Sequence, residues 1–169
     1  PKPDSGYKIL VAGMGPAGYT LSHYLLQEGH KVVGIDGLKI EPLPDGLSQF
    51  RPIHKISDYL TPLSERKSRG FGGVAEYGIT ARWDKNNLLL IRLLLERRSQ
   101  FSLHGGVRLG GTITFEQAFD EYGFDHIALC MGAGKPKLLN LPGGLPRGVR
   151  MASDFLMSLQ LTGADRKDS

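Results

Sequence analysis

The alternation of apolar and polar positions divides the start of the chain into three pieces. Lys8 to Ala12 (KILVA) is a short apolar, partly β-branched run that ends at a glycine, the pattern of a buried strand. From Pro16 to Glu28 the period changes, with Ala17, Leu21, Tyr24, Leu25 and Leu26 at helical spacing. Pro16 suits a first helical turn, and Gly29 with His30 supplies the stop. Lys31 to Asp36 (KVVGID) then predicts a second strand. Strand, helix and strand in this order form a βαβ unit, so the two strands should be parallel neighbours joined by a right-handed crossover.

Beyond this unit the pattern is uneven. Residues 37–69 carry Pro42, Pro44, Pro52 and Pro62, which interrupt every periodic stretch and leave a long excursion with room for one short helix at Ile56 to Leu60. A loop of that length is expected to be functional or to dock on something. Residues 87–98 (NLLLIRLLLERR) predict the strongest helix, with Asp84 or Asn86 as cap and Arg97 and Arg98 at the favourable end of the dipole. It is apolar nearly all round, which calls for burial on more than one side. Phe101 to Leu103 and Val107 to Leu109 read as two short strands around Gly105-Gly106. Thr114 to Gln117 fits a capping box that opens a short helix reaching Tyr122. His126 to Met131 (HIALCM) predicts another buried strand, closed by Gly132-Ala133-Gly134, and Ser153 to Leu161 a last helix.

Composition narrows the class. With 169 residues, 40% hydrophobic and 22% charged, the chain is an ordinary globular one, and collagen-like, disordered and membrane classes are poor descriptions of it. Cys130 is the single cysteine, which excludes an internal disulfide framework, a CxxC redox pair and any cysteine-built metal or cluster site, and makes a reducing cytoplasm the natural setting. No apolar run approaches the ~18 residues of a membrane span, and the first residues lack a signal-peptide pattern. Residues 51–110 hold eleven Lys or Arg against five Asp or Glu. These basic residues are spread over several elements without interleaved aromatics, so they read as a solvated or partner-facing surface and not as a nucleic-acid interface.

The 23 glycines are about twice the usual ~7% share, and they cluster. Residues 13–18 (GMGPAG) satisfy GxGxxG, a pattern that this composition would produce by chance about 0.4 times. Context gives it weight: it leaves a predicted strand, opens a predicted helix, and is followed by Asp36 at the end of the next strand. Gly13 would allow the tight turn, Gly15 the approach of backbone to a pyrophosphate, and Gly18 close packing of helix on sheet. The helix amides near Pro16 and Ala17 would face the phosphates, and Asp36 would accept from ribose hydroxyls. No tyrosine is followed four residues later by lysine, which weakens a short-chain dehydrogenase reading. Gly72-Gly73 and Gly132-Ala133-Gly134 offer two more places for backbone to lie along a long cofactor, which favours FAD.

The chain resembles the FAD-binding region of the glutamate synthase small-subunit family, related to the flavin segment of dihydropyrimidine dehydrogenase and, broadly, to pyridine-nucleotide-disulfide oxidoreductases. The stretches that carry the resemblance are VAGMGPAG (11–18), VVGID (32–36), GFGGVAEYGITARWDKN (70–86), HGGVRLGGTITFEQA (104–118), HIALCMGAGKP (126–136) and residues 147–161. It implies an α/β, Rossmann-like FAD/NAD(P)-binding fold with a parallel sheet, helices on both faces and a small additional β element. It implies pyrophosphate contacts at Gly13, Gly15, Pro16, Ala17 and Gly18, and ribose contact at Asp36, with Gly37 beside it. Gly72, Gly73 and Val74 would lie near the phosphates or flavin, Val107 would meet the adenine through its main chain, and Gly132 would turn past the adenosine.

Two departures stand out: the 37–69 excursion is long, and no cysteine-bearing iron-sulfur segment precedes the flavin region. A second nucleotide unit for NADPH would follow in such enzymes, so the chain is expected to be an incomplete fragment of the flavin domain. On this reading the βαβ unit spans 7–36 and the remaining cofactor-binding region 70–161. Its expected role is to pass electrons from NAD(P)H through FAD to a partner or domain, with the flavin carrying the chemistry and no residue needed as a general base. No catalytic residue and no metal ligand is assigned: the five histidines fit no ligand spacing, and Cys130 reads as an inert core thiol. Arg82 and Lys85 are lesser candidates for phosphate or ring contact. The rival reading is a non-catalytic dinucleotide-binding module that docks a partner through the basic 51–110 region. Expected partners are FAD, the remainder of a parent polypeptide and an electron-accepting subunit, with neither nucleic acid nor membrane.

Overall fold

A computed structural model describes residues 1–38, 40, 42–43, 47, 52–60, 62, 86–132, 140–144 and 147–162. Its elements are β1 (Lys8–Ala12), α1 (Pro16–Gln27), β2 (Lys31–Asp36), a 3-10 turn (Ile56–Asp58), α2 (Asn86–Glu96), β3 (Phe101–Gly105), α3 (Phe115–Asp120), β4 (His126–Leu129) and α4 (Ala152–Thr162). The four strands form one parallel sheet in the order β3-β2-β1-β4. This is the doubly wound arrangement: the chain moves outward from β1 through β2 to β3, then crosses back to lay β4 on the other side of β1.

β1 is central, and Ile9, Leu10, Val11 and Ala12 are all buried, as a parallel strand covered on both faces requires. Register fixes which side chains share a face, because Ile9 pairs with Val32 and Leu10 with Val33. Ile9, Val11 and Val32 join Tyr19 and Leu26 of α1, Leu88 and Leu95 of α2, and Phe101. Leu10, Ala12 and Ile35 face the opposite way, onto Ile113, Ala118 of α3 and Phe124. Helices therefore cover both faces, as expected.

α1 ends where Gly29 takes φ +87°. The Gly29 amide donates to the Leu26 carbonyl and the His30 amide to that of Leu25, which is the Schellman pattern. α2 explains its own apolarity. Leu88 and Leu95 face the sheet, while Leu89 and Leu93 pack against Leu43 and Leu47 of the excursion, with Ile53 and Tyr59 alongside. Leu90, Ile91 and Leu94 form its exposed arc. The expected capping box is present: Thr114 Oγ1 accepts from the Gln117 amide and Gln117 Oε1 from the Thr114 amide, both at 3.1 Å.

Several expectations change. The short helix at 56–60 is a single 3-10 turn, and the last strand ends at Leu129 instead of Met131 and is a half-exposed edge strand, not a buried one. The strand expected at 101–103 is β3, which extends to Gly105, whereas 107–109 forms no strand and contributes only a single bridging residue, Leu109. Among the described residues the β structure outside the sheet is an isolated bridge between Leu109 and Ile113. Gly105 is a glycine because Ile40 crosses it: a Cβ there would stand 2.4 Å from the Ile40 nitrogen. Among the described residues no helix is long and apolar enough to cross a membrane.

Candidate functional site

Parallel strands put all their carboxyl ends on one edge of the sheet, and the order reversal lies between β1 and β4. Gly13 leaves β1 at that point with φ +98°, a conformation that side-chain-bearing residues rarely adopt. A Cβ on Gly13 would stand 2.4 Å from the Cys130 carbonyl oxygen, so β1 and the exit of β4 touch through backbone. The Cys130 amide donates to the Ala12 carbonyl at 2.7 Å, and the Gly13 amide to that of Ile35 at 2.8 Å. These bonds extend the ladders past the strand ends and fix the glycine loop to both neighbours of β1.

The loop then turns into α1. Gly18 lies against the Gly13 carbonyl oxygen, which a Cβ would approach to 1.9 Å. Met14 is fully buried, and its sulfur occupies the place that a Cβ of Gly34 would take, 2.6 Å away. Gly34 was not singled out from sequence; its signal is a glycine inside an apolar strand, which marks close approach of another group. Gly15 is buried, and Pro16 and Ala17 are exposed. The α1 N-terminus has Pro16 in its first turn, no acidic residue there, and no side-chain cap. Its leading amides and the positive end of its dipole are thus left for an anion.

Asp36, half-buried at the end of β2, faces this loop. Its Oδ2 accepts from the Met14 amide and its Oδ1 from the Leu38 amide, each at 2.8 Å. The second bond is an Asx turn, which an aspartate before glycine foreshadows. The first is tertiary, and it makes Asp36 a structural tie between β2 and the glycine loop. A carboxylate carries about four acceptor positions, so two amides leave capacity for hydroxyl donors. The Val107 amide donates to the Asp36 main-chain carbonyl at 3.0 Å, which sets Val107 beside the same strand end.

The described residues thus bring Gly13 to Gly18, Asp36, Gly37 and Val107 to one edge, with Gly132 two residues past Cys130. Gly72, Gly73 and Val74, and likewise Arg82, Lys85, Ala133 and Gly134, lie outside the described residues. Cys130 is half-buried beside the core, and burial pushes its thiol up, away from thiolate. Among the described residues no three His, Cys, Asp or Glu side chains converge as ligands for a metal ion.

No family model matches the chain. The glutamate synthase [NADPH] small chain of Bacillus subtilis is 28% identical over 162 residues, which cover 92% of this chain and 25% of that protein. The mitochondrial NADPH:adrenodoxin oxidoreductase of Salvelinus fontinalis is 26% identical over 154 residues, 91% of this chain and 25% of its own. The chain is a distant homologue of these oxidoreductases. An uncharacterized protein of Rickettsia prowazekii is 56% identical over 169 residues, the whole of this chain and 24% of that protein. The chain therefore spans about a quarter of the length of the relatives it matches. The similarity to the oxidoreductases extends over both the glycine loop and the later strands, so it is not a match to GxGxxG alone.

Proposed function

We propose that this chain is the flavin-binding part of an NAD(P)H-dependent oxidoreductase and holds the ADP half of FAD across the crossing point of β1 and β4. The observation that carries the reading is the uncapped N-terminus of α1, set at that crossing point beside the Asp36 carboxylate. The residues present fit a dinucleotide. A loop in which Gly13 and Gly18 leave no room for side chains lets the amides of Ala17 and Gly18 approach a pyrophosphate, whose charge suits the helix dipole. Asp36 accepts from ribose hydroxyls while its tie to Met14 holds the loop in place, and its negative charge disfavours a 2′-phosphate.

When bound, the flavin ring supplies the hydride and electron chemistry. This chain's own residues bind and orient, and the reading asks no side chain among them to act as a general base. Gly72, Gly73 and Val74 would meet the phosphates or flavin, and Gly132 would pass the adenosine side. The NAD(P)H site and the electron acceptor belong, in this reading, to other parts of a longer polypeptide or to a partner. Support for the redox role comes from the relatives, both of which are NADPH-linked by name. Titration of the full chain with FAD, followed by quenching of flavin fluorescence and competed with ADP, tests the proposal. Saturable binding displaced by ADP is expected, and a flat titration would overturn it.

A further inference from the structure

Arg108 lies against Gly37, the residue that follows Asp36. The side chain lies between two glycines: its Nε is 3.6 Å from the place a Cβ of Gly37 would take, and its Cδ is 3.5 Å from that of Gly111. A Cβ on either glycine would meet the arginine stem at ordinary van der Waals distance. The backbone is fixed by hydrogen bonds. The Arg108 amide donates to Thr112 Oγ1 at 3.1 Å, and its carbonyl accepts from the amides of Gly111, Thr112 and Ile113. The preceding residue, Val107, is bonded to the Asp36 carbonyl. Arg108 is nonetheless exposed, and among the described residues it has no carboxylate partner. The side chain is thus an exposed cation placed over Gly37, next to Asp36 in the chain.

We infer that Arg108 forms one wall of the adenine pocket and lays its guanidinium on the face of the base. The inference rests on the dinucleotide reading above. In that reading Asp36 takes the ribose, the base hangs from that ribose, and Gly37 is the residue between Asp36 and the arginine stem. A planar guanidinium suits an aromatic face, and the arginine side chain already lies along Gly37 at the end of β2. A phosphate would be the other anionic or polar partner for such a cation, and Asp36 at the ribose works against a 2′-phosphate there.

The test is FAD affinity of the full chain for wild type, Arg108→Ala and Arg108→Lys, measured at ~0.1 M and ~1 M salt, between which the screening length falls from ~10 to ~3 Å. Thermal melts of the three proteins confirm that they are equally folded. Arg108→Ala should weaken FAD binding about fivefold to thirtyfold at both salt concentrations, the ~1 to 2 kcal/mol of a partly desolvated cation–π contact, with Arg108→Lys in between. If wild type binds FAD and Arg108→Ala binds it equally well, the wall assignment is wrong and the dinucleotide reading survives. A loss seen only at low salt would assign the cation to a phosphate and also overturn stacking. Absence of FAD binding by the wild type would remove both.

Discussion

Asp36→Ala tests fold and function at one residue. The substitution removes the acceptor for two backbone amides, those of Met14 and Leu38, each bonded at 2.8 Å. A hydrogen bond to a charged group contributes about 1.5–3 kcal/mol, and an amide left without a partner costs more still. Asp36 is half-buried, so water recovers part of each, and the net loss should be about 2–3 kcal/mol. At ~2–4 °C per kcal/mol for a chain of this size, the melting temperature should fall by roughly 5–10 °C. Asp36→Asn keeps one acceptor but turns an NH2 group toward the other donor, so it should lose about half as much. Thermal or urea unfolding reads this without any ligand. Separately, FAD affinity should fall by ~1–3 kcal/mol in conditions where the variant is folded. A melting temperature for Asp36→Ala within about 1 °C of wild type would refute the claim that this carboxylate ties the glycine loop to β2.

Two further outcomes follow from the same geometry. Gly18→Ala should destabilise by about 1–3 kcal/mol or more, because its Cβ meets fixed backbone at 1.9 Å, whereas Gly34→Ala should cost less, since the group it meets at 2.6 Å is the mobile end of Met14; equal costs in urea unfolding would contradict this ordering. Cys130, its thiol pushed up by burial, should react with iodoacetamide more slowly in the folded than in the unfolded chain, and should keep its proton as pH rises past the free-thiol value of ~8.5; folding stability from that difference is full below this pH and declines above it, and labelling at equal rates in both states would argue against it.

The parts of the fold legible in the sequence are those that local periodicity dictates. Residues 8–36 switch from an apolar run to helical spacing and back, and they form β1, α1 and β2 within a residue of the expected bounds. Thr114 and Gln117 cap α3 as their spacing implies, because both bonds are local. What escaped the sequence reading depends on contacts between distant segments. Gly105 looked like a strand breaker, yet it is the last residue of β3 and pairs with Asp36, since a parallel ladder needs no side chain at that position and Ile40 needs the space. The double-sided burial of α2 was expected from its composition, while the identity of the covering residues, Leu43 and Leu47, was hidden in a proline-interrupted stretch.

The site divides in the same way. GMGPAG and Asp36 were readable as a pair because the motif has fixed spacing and context. That Asp36 also holds the Met14 amide, that Met14 fills the space over Gly34, and that Arg108 lies between Gly37 and Gly111 are tertiary facts with at most a glycine as their trace. Glycine thus marks two different things here: backbone that approaches a ligand, and backbone that makes room for a neighbour. Sequence alone does not separate them.

The central claim is that α1 presents its amides to a pyrophosphate at the crossing of β1 and β4. Amide chemical shifts of the isotopically labelled full chain, followed by NMR as FAD is added, test it most directly. The account predicts the largest changes at Gly15, Ala17 and Gly18, with further changes at Leu38, Val107 and Gly132 along the same edge. Changes confined to other surfaces, such as α4 and the residues before it, or no changes at saturating FAD, would contradict it.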